Sequence, residues 1–77
     1  MKIVYTKHAK EMLTLRKINK KFVEKTLTNP DKVQAGKNRK LIYLKDFGKN
    51  YLKVVTTLEK RTMIVITCHW IARDRIK

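Results

Sequence analysis

Thr28-Asn29-Pro30-Asp31-Lys32-Val33-Gln34-Ala35-Gly36 is the stretch where the chain changes its period. Before it, apolar residues recur at three- and four-residue spacing; after it, they alternate. Pro30 drives the break, because a proline pushes the residue before it out of the α region and has no N–H to donate. Asn29-Pro30 therefore ends a helix, and Lys32 to Ala35 opens a series of strands.

Toward the N-terminus, Phe22, Val23, Thr26 and Leu27 share one face of the helix that Pro30 stops. Asn19 stands at its N-cap position, with Ile18 and Val23 placed to form a hydrophobic staple around it. An earlier helix is predicted over Lys7 to Lys17, carrying Ala9, Met12, Leu13 and Arg16 at helical spacing. His8, Met12 and Leu15 form an adjoining row. Thr6 can cap this helix through its hydroxyl, and Ile3-Val4-Tyr5 ahead of it reads as a short strand.

Toward the C-terminus, Gly36 and Lys37-Asn38 make a turn into a strand from Arg39 to Phe47, and Gly48-Lys49-Asn50 makes the next turn. Tyr51 to Glu59 puts Leu52, Val54, Thr56 and Leu58 on one face and Tyr51, Lys53, Val55 and Thr57 on the other. Lys60-Arg61 connects tightly to a strand from Thr62 to Trp70. Strict alternation there sets Ile64, Ile66, Cys68 and Trp70 against Met63, Val65, Thr67 and His69. Both sets are apolar, so alternation leaves open which one faces the helices. The expected fold is α+β in the order β-α-α-β-β-β-β: two N-terminal helices packed on a small antiparallel sheet. Residues 1–77 form a single domain.

Twenty Lys and Arg against six Asp and Glu leave a formal charge of +14. A domain of this length has a radius of gyration of about 11–12 Å, comparable to the ~8 Å Debye length in physiological salt. The charges therefore repel one another through little screening, and an anionic partner would offset that cost. Nucleic acid is the leading candidate, because each phosphate contact releases counterions.

Other classes find little support. The N-terminus lacks the apolar stretch of a signal peptide, and no apolar run approaches the ~20 residues of a membrane span. No membrane partner is expected on that ground, and the single cysteine, Cys68, which can make no internal disulfide, fits a reducing cytoplasm. Gly36 and Gly48 stand alone, so no phosphate-cradling loop is present. The six carboxylates make no acidic pair, Cys68 and His69 point to opposite faces of a strand, and no metal site or cofactor is expected.

The segment Thr6-Lys7-His8-Ala9, then Met12, Arg16 and Ile18, then Val23, Asn29-Pro30 and Val33, resembles a family of small domains of unknown function placed near the RelE/ParE superfamily of toxin–antitoxin toxins. Lys53-Val54-Val55 and Ile64-Val65-Ile66-Thr67 extend the resemblance over nearly the whole chain. It implies a RelE-like fold and a toxin that cuts mRNA on the ribosome without a metal, held inactive by an acidic antitoxin protein. It also leaves room for a ParE-like gyrase inhibitor.

Metal-free RNA cleavage needs a base for the 2′-OH, a stabiliser for the charged phosphorane and an acid for the leaving 5′-oxygen. His8 and His69 are the side chains that titrate near neutrality. His8 sits in the first turn of a helix, where the dipole favours a neutral imidazole; it reads equally as a base or as a residue packing the helix start. His69 is a second acid–base candidate or a strand-end residue with one surface hydrogen bond. Lys53, a lone charge among Leu52, Val54 and Val55, must point to solvent or to a ligand, and the resemblance makes it a phosphate or transition-state contact. Arg16, Arg39, Lys40 and Lys45 extend the basic set toward phosphates, and Tyr51 offers a stacking surface. The resemblance adds Arg73 and Arg75 after the last strand. Each of these also reads as a solvated surface residue, so a non-catalytic basic module that binds RNA, DNA or the ribosome stands beside the nuclease.

Overall fold

Seven elements follow one another in the order that the periodicity predicts, in a computed structural model that describes residues 2–72. They are β1 (Lys2–Tyr5), α1 (Lys7–Leu15), α2 (Lys20–Thr28), β2 (Lys32–Ala35), β3 (Lys40–Asp46), β4 (Asn50–Glu59) and β5 (Thr62–Ala72). The radius of gyration is 11.7 Å.

Local chemistry sets the helix ends. The Thr6 hydroxyl accepts from the Ala9 N–H at 3.0 Å, and Asn19 Oδ1 accepts from the Lys21 N–H at 2.8 Å, so both caps lie where the side chains allow them. The first helix is shorter than the predicted Lys7–Lys17. Lys17 takes a left-handed conformation with φ 53°, and the Ile18 N–H turns back to the Leu13 carbonyl at 2.8 Å. That is a Schellman closure, with Ile18 and Leu13 both buried beneath it. It ends the helix before Arg16 without a glycine or proline.

The strands form one sheet in the order β1-β5-β4-β3-β2. The last four pair antiparallel, as the short turns require. β1 pairs parallel to β5, from Lys2 opposite Thr62 to Tyr5 opposite Val65. The sheet is therefore mixed, which corrects the expectation of a purely antiparallel one. No hairpin joins β1 to β5, so turn chemistry places no constraint on their relative direction.

Both helices pack on one face of this sheet. The core joins Ala9, Leu13, Ile18, Val23 and Leu27 of the helical layer to Leu52, Val54, Met63, Val65 and Cys68 of the sheet. At roughly 1.5–3 kcal/mol for each fully buried large aliphatic side chain, this one layer dominates the stability of the domain.

The alternation expected along β5 does not hold, because the pairing with β4 shifts between Val55 and Thr56. Val55 pairs with Thr67 and Thr56 with Val65, leaving Ile66 as an extra residue. Before the bulge Met63 and Val65 face the helices; after it Cys68 and Trp70 do. Ile64 thus lies on the opposite face from Cys68 and Trp70, with which alternation had grouped it. The bulge lets both apolar sets of β5 reach the same core.

Candidate functional site

Directly paired strand residues share a sheet face, so the register fixes what the helix-free face carries. Lys32 of β2 pairs with Leu44 of β3, Leu44 with Lys53 of β4, and Lys53 with His69 of β5. Leu52 and Val54, either side of Lys53, are fully buried under the helices, so this transverse row lies on the other face. Its neighbours are an Asp46–Tyr51–Ile71 row toward the β3–β4 turn and an Ile42–Val55–Thr67 row on the other side.

The row continues past the sheet at its β5 end. β1 covers β5 only as far as Val65, so the next carbonyls need other donors. The Thr6 hydroxyl donates to the Ile66 carbonyl at 3.3 Å, and the Arg16 guanidinium donates to the Cys68 carbonyl at 2.8 Å. Arg16 therefore stands beside His69 at the strand edge. Lys32, Lys53, His69 and Arg16 make a basic line across the sheet, interrupted only by Leu44, which is 4 % exposed. Leu44 lies outside the main core cluster, with the long stems of Lys32 and Lys53 as its register neighbours.

The electrostatics of the line act on His69. Burial pushes its imidazole below the ordinary 6.5, and the charges of Lys53 and then Arg16 push the same way. Each cation disfavours a second positive charge nearby. A neutral imidazole beside two fixed cations can accept a proton next to a bound phosphate. Cys68, one residue earlier, is fully buried on the helix side. Burial pushes its thiol up, against an opposite pull from Arg16, which leaves it poorly suited to nucleophilic work.

The structure brings together part of the set expected from sequence. Lys53 and His69 are direct cross-strand neighbours, Tyr51 lies two residues from Lys53 on the same face, and Arg16 borders the row. Lys40 shares the face but pairs with Thr57, about 14 Å along the strand from Lys53 at ~3.4 Å per residue. Arg39 is exposed in the β2–β3 turn, where Asn38 and Arg39 both have positive φ. His8 is exposed on α1, in the layer on the far side of the sheet from Lys53 and His69. Lys45 pairs with Leu52 on the helix side and donates to the Asn29 carbonyl at 2.9 Å. Arg73 and Arg75 lie outside the described residues. Lys32 joins the row although its own segment carries no sign of it; only the β2–β3 register reveals the placement.

Among the described residues, no three His, Cys, Asp or Glu side chains come together as metal ligands, and no helix is long and apolar enough to cross a membrane. No curated protein and no solved structure matches the chain. A family model described as a domain of unknown function, DUF4258, matches residues 5–70, and the chain belongs to that family.

Proposed function

We propose that this domain binds single-stranded RNA along its helix-free sheet face and cleaves it there without a metal. The observation that carries the reading is the Lys53–His69 pair, with a half-buried imidazole held toward its neutral form inside a basic line. With a phosphodiester over Lys53, His69 takes the proton of the adjacent 2′-OH. The 2′-oxygen attacks phosphorus while Lys53 and Arg16 neutralise the charge that develops on the phosphoryl oxygens. The imidazolium then protonates the departing 5′-oxygen, leaving a 2′,3′-cyclic phosphate and a 5′-hydroxyl. Tyr51 supplies a ring on which a neighbouring base can stack.

This chemistry matches what a RelE-like toxin would perform on ribosome-bound mRNA. The +14 charge fits an acidic antitoxin as the partner that silences it. One observation favours a second reading, a non-catalytic RNA-binding module: with His8 in the helix layer, the row holds one imidazole where separate base and acid were expected.

Incubation of the purified protein with single-stranded RNA in the presence of a chelator separates the two. The expected result is cyclic-phosphate and 5′-hydroxyl ends, with cleavage reduced by about 10²–10⁴-fold in His69→Ala, the range for loss of a general base. Lys53→Ala should lose cleavage while keeping its fold. RNA that is bound but left intact, with and without ribosomes, establishes the binding module in place of the nuclease. RNA that is neither bound nor cut overturns both.

A further inference from the structure

Three aromatic side chains from distant parts of the sequence meet at the β3–β4 turn end of the helix side. Phe22 of α2, Phe47 after β3 and Trp70 of β5 pack edge to face, with ring centroids 5.0, 5.9 and 5.9 Å apart and interplanar angles of 82°, 69° and 84°. This triad is not sealed. Phe22 is 38 % exposed, and a cleft of about 270 Å³ is lined by the three rings with Lys49 and Asn50. Phe47 and Trp70 also pack against the core, so the exposed Phe22 ring is the one open to stack on another planar group.

We infer that this cleft is a binding site for one unstacked base of a single-stranded nucleic acid. Its volume falls below the roughly 300–1,000 Å³ of pockets for drug-sized molecules, which suits a single planar ring system. Asn50 offers an amide that can both donate to and accept from a base edge. Lys49 supplies a cation for the attached phosphate. Lys45, with its Nζ 6.0 Å from the Phe47 ring centroid, adds positive potential beside the cleft.

The cleft lies on the opposite face of the sheet from the basic row, one residue along each strand from it. Trp70 follows His69 directly and pairs with Leu52, next to the Lys53–His69 pair. A strand leaving the helix-free face past the β3–β4 turn reaches the cleft as it comes round the end of the sheet. The inference rests on the domain's binding single strands and does not require that it cut them.

Trp70 is the only tryptophan in the chain, so its fluorescence reports on this cleft alone. The probe is a 2′-O-methyl oligoadenylate of about eight nucleotides, within the site sizes of single-strand binders; it lacks the 2′-nucleophile and cannot be cleaved. The control is an abasic oligomer with the same number of phosphates. The oligoadenylate should quench Trp70 emission at saturation, and the abasic oligomer should bind through phosphates without quenching. Phe22→Leu should weaken the oligoadenylate about tenfold and leave the abasic affinity unchanged. If that variant does not fold, the two titrations of the native chain decide the matter. Because the probe has no 2′-hydroxyl to react, a failed nuclease reading leaves this result standing. Equal quenching by the abasic oligomer, or an unaltered spectrum on oligoadenylate addition, overturns the base site.

Discussion

His69 carries an imidazole whose charged form the fold disfavours, and Lys53 is the first neighbouring charge responsible after burial itself. Replacing Lys53 with Met keeps a long side chain on the strand and removes that charge. The His69 pKa should then rise toward 6.5 without reaching it, because burial and Arg16 still act. An NMR titration of the imidazole C2 proton in both proteins checks this; identical midpoints would mean that Lys53 does not influence His69. The same shift has a consequence for stability. His69 binds a proton more weakly in the folded chain than in the unfolded one, so acid favours unfolding through this group. Its contribution is whole above 6.5, the ordinary value, and is lost as the pH falls from there through the lower folded value. His69→Gln should flatten that part of the stability profile. One other residue shows the cost of burial. Among the described residues the Tyr5 hydroxyl, a buried polar atom, has no hydrogen-bond partner, and its ionisation is pushed up by burial, then by Glu24 and Cys68.

Thr6 joins three elements and shows what their assembly requires. Its hydroxyl oxygen accepts from Ala9 N–H to start α1 and donates to the Ile66 carbonyl at the β5 bulge, while its own N–H reaches the Val65 carbonyl at 3.1 Å. Thr6→Ala should cost about 1–2 kcal/mol, the upper range for a lost N-cap, or a fall of roughly 4–16 °C in Tm for a domain of this size. Thr6→Ser should recover most of that loss in thermal unfolding; a serine variant as unstable as the alanine one would remove the hydroxyl from the explanation. The cap was legible in the sequence, as were both helices, every strand and the Asn29-Pro30 stop, because each depends on neighbouring residues. What was not legible depends on partners far along the chain. Ile66 is as β-branched and apolar as Ile64, so nothing local marks it as the extra residue of a bulge. The parallel direction of β1 has no turn to announce it. Lys53 and His69 could be singled out as isolated polar groups in apolar strands, but their pairing is a matter of register. The same holds for Lys32, for His8 lying in the opposite layer, and for the meeting of Phe22, Phe47 and Trp70.

Over the whole molecule, the unbalanced charge sets two responses to salt that run in opposite directions. Fourteen net positive charges on a domain with an 11.7 Å radius of gyration repel one another over distances comparable to the Debye length. Added salt screens that repulsion and should raise the melting temperature of the free protein. RNA binding should respond the other way, because each neutralised phosphate releases counterions on association. If Arg16, Lys32, Lys49 and Lys53 each engage one phosphate, log K should fall against log salt with a slope of about −3 for a single strand. Going from about 50 to 200 mM salt then weakens binding roughly fiftyfold. Lys53→Ala should reduce the slope by about 0.7, the share of one phosphate, whereas Lys7→Ala, on the exposed start of α1, should leave it nearly unchanged. Melting curves and fluorescence-anisotropy titrations over the same salt series measure both trends. Equal slopes for the two variants would mean that the charge attracts RNA from all sides and that the transverse row has no privileged part in holding it. A melting temperature indifferent to salt would mean that the lysines are spread widely enough for the solvent to screen them already, and that the domain gains no stability by finding an anionic partner.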